Sequence, residues 1–160
     1  MTQTNEREKV LVKIINEEIL GGRSASGELI TTGYLDRPAG AAFRLRYKEI
    51  LGEDVKNMTS SVTLIDDGEG CITVEREGPF SMKMIFTEGG RHRCFYTTPY
   101  GELLLHVKTA AANTEYLPDR LRVFLDFEVF ADGDPIHRSK MTYFIKPRKT
   151  NRGAKDGNTQ

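Results

Sequence analysis

Two charged residues fall where a strand-rich chain has to account for them. Between Ala42 and Ile50, Phe43, Leu45 and Tyr47 alternate with Arg44, Arg46 and Lys48, and Glu49 lands on the apolar parity. Between Cys71 and Glu77, Arg76 shares the parity of Ile72 and Val74. Period-two alternation therefore predicts that Glu49 and Arg76 both point inward near strand ends. A charge on an inner face must be paired or solvated. One outcome is a structural ion pair that closes a barrel mouth and fixes strand register. The other is a site in which Arg76 receives the anionic head of a small amphipathic ligand while apolar residues hold its body. Tyr47 and Tyr96 would add hydroxyls, and Thr109 an inward hydroxyl at the end of its strand. The candidate ligand-binding set is thus Arg76, Glu49, Tyr47, Tyr96 and Thr109.

Other chemistries find little support. The chain has no GxSxG elbow, no HExxH, no P-loop and no CxxC pair. His92, His106 and His137 fall on different strands, and His106 has the outward parity of Leu104 and Lys108, so no metal site is expected. Asp66-Asp67 and Asp132-x-Asp134 read as turn acids, without the oxygen count that calcium needs. Gly21-Gly22-Arg23-Ser24-Ala25-Ser26-Gly27 resembles a phosphate loop only faintly, lacking the Gly-Lys-Ser/Thr ending, and reads as a flexible loop. Met82, Met84 and Met141 serve as core filler or as the lining of an adaptable pocket. No cofactor is expected. The reading leans away from an enzyme: a barrel that hydrolyses polyphosphates needs alternating inner charges, and Phe80, Met82, Met84 and Phe86 are the wrong lining.

These residues must be positioned by strands. Val10–Leu20 fits helical spacing and strand alternation alike, and its β-branched density together with the β-rich remainder favours a strand. Further strands are expected over Glu28–Asp36, Ala42–Ile50, Met58–Asp66, Cys71–Glu77, Phe80–Phe86, Arg91–Thr98 and Glu102–Thr109, then Arg120–Ala131 and Ile136–Ile145. Ala110–Asp119 reads as the longest connection of the second half. About nine or ten short strands separated by turn residues, with no convincing helix, indicate an all-β, antiparallel up-and-down barrel or a sandwich. Sequential hairpins favour the barrel, which also removes exposed edges.

The composition sets outer limits. In 160 residues, 38% are hydrophobic and 29% charged, enough for one domain with a real core. The net charge of zero argues against a dedicated nucleic-acid binder. The body is slightly acidic, because Lys146, Arg148, Lys149, Arg152 and Lys155 face only Asp156 at the end of the chain. Residues 1–147 are read as a single barrel domain and 148–160 as a basic, disordered tail, solvated or in weak anionic contact. Cys71 and Cys94 fit free thiols in a reducing cytosol. The polar start, Met1 to Lys9, suits neither a signal peptide nor a membrane span, so a cytoplasmic location without membrane contact is expected and the Asn57-Met58-Thr59 sequon carries no meaning.

An ordered set of motifs then adds a family likeness. Thr32-Gly33, Tyr47-x-Glu49, Arg76-x-Gly78, Met84-x-Phe86, Tyr96-x-Thr98-Pro99-x-Gly101 and Val107-x-Thr109 occur in that order. Over roughly residues 8 to 146 the chain resembles the YwiB-like family of small bacterial proteins. The resemblance implies a calycin-like (lipocalin-like) antiparallel barrel of about eight strands in a bacterial cytosolic protein, and no established activity. The loop 21–27 and the basic tail depart from the pattern. Calycins often hold small apolar ligands, an analogy of fold only.

Ligand binding inside the barrel therefore competes with a structural or protein-interaction role. Phe124, Phe130, Ile85, Leu104 and Phe144 have outward parity yet are apolar. Either another segment covers them or two barrels pair through them as a homodimer.

Overall fold

The computed structural model describes residues 7–50 and 59–148. The Asn57 sequon and residues 149–160 of the expected tail lie outside the described residues. Ten strands are present among the described residues: β1 (Glu8–Leu20), β2 (Arg23–Asp36), β3 (Phe43–Ile50), β4 (Thr59–Asp66), β5 (Ile72–Glu77), β6 (Met82–Phe86), β7 (Arg91–Thr98), β8 (Gly101–Leu117), β9 (Arg120–Ala131) and β10 (Asp134–Pro147). The described residues contain no helix, hence none long and apolar enough to cross a membrane.

The strands form one antiparallel sheet in the order β6-β5-β4-β3-β2-β1-β10-β9-β8-β7. Each strand pairs with its sequence neighbours, except that β1 pairs with β10 while β6 and β7 form the two edges. Those edges meet at a single bridge, with Ser81 N–H donating to Thr97 O at 2.9 Å and Thr97 N–H to Ser81 O at 2.8 Å. The result is an up-and-down barrel that is nearly closed, as the alternation predicts.

Two expectations fail locally. The 21–27 segment is not a flexible loop. Gly21 and Gly22 have φ of 57° and 82° and make a two-residue turn, and Arg23–Gly27 already belong to β2, paired with Leu20 through Asn16. Positive φ at both central positions matches the twist of a tight hairpin, so the glycines end the loop at two residues and the small residues after them join the ladder. Nor is Ala110–Asp119 a long connection. β8 runs through it to Leu117, with a register shift between Thr109 and Ala111. The extra residue there moves the inward parity from odd to even, so Ala112 and Thr114 stand opposite the inward Leu125 and Val123. The weak strand preference of the alanines is overridden by pairing with β9 along its length.

The interior is graded from one end to the other. At the end holding the β2–β3 and β4–β5 turns, Phe43, Leu45, Leu64, Val12, Val123 and Leu125 are wholly buried and packed together. Thr114 donates its hydroxyl to Asp66 Oδ2 at 2.7 Å, while Asp66 Oδ1 accepts from Gly68 N at 2.8 Å, so this acid closes its own turn. At the opposite end the β1–β2 and β9–β10 hairpins continue past the shorter β3–β7 and form a taller wall on one side.

Close backbone approach explains Gly33 of the Thr32-Gly33 motif. It pairs with Tyr47, and a Cβ there would stand 2.6 Å from the Arg46 carbonyl oxygen. Two of the outward aromatics are capped by cations: the Arg91 guanidinium lies 4.8 Å from the Phe130 ring centre and that of Arg122 lies 5.8 Å from Phe144.

A buried carboxylate braces the packed end. Arg44 donates to Asp36 from Nε at 3.0 Å and from Nη2 at 2.6 Å, and Arg46 Nη2 lies 3.4 Å away. The Arg44 hydrogen bonds, helped by the charges of Arg44, Arg46 and Arg7, hold the Asp36 carboxyl below its ordinary value of 3.8 against the opposing effect of burial. The acid is more easily ionised folded than unfolded, so its contribution is complete above the ordinary carboxylate range and is lost as pH falls through the lowered value. Asp36→Asn should cost about 2 kcal/mol near neutral pH. In urea titrations across pH, the gap to the parent protein should close in acid; a gap independent of pH would refute this account.

Candidate functional site

Strand alternation carries Glu49 to the inner end of β3 and Arg76 to the inner end of β5, with β4 between them. In the ladder Glu49 faces Ser60, while Val62 of the same strand faces both Tyr47 and Arg76. The two charges reach each other across that strand. Arg76 Nε and Nη2 approach the same oxygen, Glu49 Oε1, at 3.1 and 3.0 Å. Their side chains are 22% and 24% exposed, so the pair sits at the boundary between the interior and water.

Below this pair the barrel is hollow. A cavity of about 570 Å3 lies between the Glu49–Arg76 rim and the packed core, within the roughly 300–1,000 Å3 that small-molecule sites occupy. Its walls are mostly apolar, with Met82, Met84, Phe86, Leu105, Phe127 and Leu29 among them. Tyr96 of β7 joins the lining and stacks on Phe80 with ring centres 6.3 Å apart. That stack lies beside the Ser81–Thr97 bridge and seals the otherwise open seam of the barrel.

Four of the five expected residues therefore surround one space: Arg76, Glu49, Tyr47 and Tyr96. Thr109 does not join them. It is buried, but its backbone exchanges hydrogen bonds with Gly89 and Gly90 in the β6–β7 turn, away from the Arg76 end, and its hydroxyl has no partner among the described residues. The inward parity is as expected, whereas its position along the strand is not, because β8 continues to Leu117 instead of stopping at Thr109.

Several further residues join the site. Tyr143 lies under Tyr47, their hydroxyl oxygens 3.3 Å apart and their rings edge to face. Burial pushes the Tyr47 phenol far above its ordinary range, reinforced by Tyr143 and Glu49 and opposed by Arg76. Burial pushes Tyr143 up as well, so both remain protonated at physiological pH. Asn16 and Glu18 of β1 and His137 and Ser139 of β10 also line the cavity. Their signal in the sequence is parity: Asn16 and Glu18 continue from Ile14, and Ser139 and His137 lead back from Met141, Tyr143 and Ile145. The residues are legible as inward, yet only the β1–β10 pairing brings them to the same mouth. The Oδ1 end of the Asn16 amide is buried there without a partner among the described residues.

The comparisons with known proteins reinforce the architecture. The family model described as "Domain of unknown function (DUF1934)" matches residues 6–142. A solved structure, the crystal structure of ywiB protein from Bacillus subtilis, is similar with a TM-score of 0.75 at 18% identity, over 89% of this chain and 94% of that one. At that identity the likeness speaks for the shared antiparallel barrel fold alone. The search of curated proteins finds no match.

If the rim pair is a coupled unit, removing one partner costs more than removing both. Arg76→Met should lower stability by about 1–3 kcal/mol by leaving Glu49 without its counter-charge, and adding Glu49→Gln should restore part of the loss. A double-mutant cycle by urea unfolding measures this; strictly additive losses would show that the pair is uncoupled.

Proposed function

Because the chain belongs to the DUF1934 family, whose members share a domain of unknown function, we propose a role from the interior itself: a non-catalytic barrel that binds a small amphipathic ligand. The observation that carries this reading is the hollow half of the barrel. A barrel this size can fill its interior with side chains, as the Phe43 end does. At the other end large apolar residues line an empty space that opens at a polar rim. That division, apolar body and polar mouth, suits a ligand with the same division. In this reading the protein works in the cytosol, where Cys71 and Cys94 stay as free thiols.

An uncharged naphthylamine dye such as N-phenyl-1-naphthylamine should brighten on entering the cavity. Met82→Trp, which places a larger side chain in the same space, should abolish the signal while the melting temperature changes little. Brightening that survives Met82→Trp and a second blocking change, Leu105→Trp, would place the dye elsewhere and count against the cavity.

A second reading, association of two barrels, draws on the outer face of β7 and β8. Phe95 and Leu104 stand opposite each other and are 52% and 42% exposed, with no arginine stacked over them among the described residues. Sedimentation velocity at tens of micromolar should then show a dimer that Leu104→Glu dissociates. A monomer under those conditions removes the reading.

A further inference from the structure

The polar groups of the cavity specify the head group of its occupant more narrowly than "amphipathic". Among the described residues Arg76 is the one lysine or arginine lining the space, and it is already neutralised: two of its nitrogens are committed to a single oxygen of Glu49. Besides the tyrosines, the other titratable groups among the described lining residues are Glu18, Glu28 and His137. Lys13, which is not part of the lining, holds Glu28 at 3.2 Å, and His137 Nε2 lies 3.9 Å from Glu18 Oε2. Among the described residues an entering carboxylate would meet the carboxylates of Glu18 and Glu49 and no unpaired guanidinium or ammonium. An entering ammonium would lose its hydration for acids that already have cationic or polar neighbours.

The unfilled hydrogen-bonding capacity is instead that of neutral groups. Tyr47 and Tyr143 are 6% and 1% exposed, and their hydroxyls hydrogen-bond to each other. Two phenols carry two protons, and one bond between them uses one. Whichever is the donor, the other hydroxyl proton has no acceptor among the described residues, at the wall of the cavity. Asn16 adds an amide whose oxygen is buried without a partner among the described residues. Glu49 Oε2 takes no part in the bonds that Arg76 makes to Oε1. The site thus offers a phenol donor and amide and carboxylate acceptors around an apolar chamber.

Resting on the reading of the chamber as a ligand site, we infer that its occupant is an uncharged amphiphile whose head group both accepts and donates a hydrogen bond, such as a primary amide or an alcohol, and not a fatty-acid anion. The head group accepts from the Tyr47–Tyr143 pair and donates to Asn16 or Glu49. Its hydrocarbon body lies against Met84, Phe86 and Phe127. The Glu49–Arg76 pair acts as a specificity filter: it keeps the mouth polar while denying an incoming anion a free guanidinium.

A chain-matched series of decanamide, decanol, decanoate and decylamine, compared by calorimetry and thermal shift at about neutral pH, tests this. Decanamide or decanol should bind at least about ten-fold more tightly than decanoate or decylamine. Tyr47→Phe, which keeps the ring and removes one hydroxyl, should weaken the neutral ligands and leave binding of the uncharged naphthylamine dye intact. Glu49→Gln should release Arg76 and raise decanoate affinity about ten-fold or more. Tightest binding of decanoate or decylamine by the parent protein would overturn the neutral head group while leaving the cavity as a binding site. Dye binding with no preference within the series would do the same. Failure of the dye and of all four ligands would overturn both readings together.

Discussion

Closure of the sheet rests on the pairing of the first strand with the last. Val10 to Ile19 of β1 lie along Pro147 to Arg138 of β10, so a contact between the two ends of the chain turns a ten-strand meander into a barrel. That ladder places Ile14 opposite Tyr143 and Asn16 opposite Met141, building one wall of the cavity from residues that no local rule connects. It also sends the sheet's two free edges to β6 and β7, neighbours in sequence, where one bridge and the Phe80–Tyr96 stack join them. An edge that would otherwise invite pairing with another chain is thus mostly covered by the protein's own side chains.

Once the sheet closes, the division of its interior follows from residue size and strand length. Bulky residues converge at the Asp36 end and fill it. At the Arg76 end the inward side chains of β1, β3, β5, β6 and β10 include methionines, small polar residues and one ion pair, and they do not meet across the barrel. The electrostatics follow the same division. Asp36 at the packed end is held by Nε and Nη2 of Arg44 and acts as a brace. Glu49 and Arg76 are joined through one oxygen and retain capacity toward the cavity. The same chemical pairing, acid with arginine, serves as structure at one end and as a rim at the other.

Much of this was legible in the order of residues. Phe43, Leu45, Tyr47 and Glu49, and likewise Ile72, Val74 and Arg76, point where their alternation says, because the pleat leaves each side chain only two faces. The failures have equally specific causes. Gly21-Gly22 reads as the start of a loop until β1 and β2 are seen to pair down to Leu20 and Arg23. The alanines after Thr109 have weak strand preference of their own and are held extended by β9, and a register shift changes their parity midway. Thr109 was expected at the mouth because its strand was expected to end there.

What the sequence by itself determined is the face of side chains along each uninterrupted run: a two-fold period is a local property that survives any arrangement of the strands and fails only where a register shift intervenes, as after Thr109. It also marked Glu49 and Arg76 as inward charges that had to be paired or solvated, and the structure joins them. Only the tertiary structure decided that the interior is hollow at one end and filled at the other. A void depends on how far opposed side chains reach across a closed sheet, and that distance is set by strand pairing and closure, which couple residues as remote as Asn16, Tyr47, Arg76 and Tyr143.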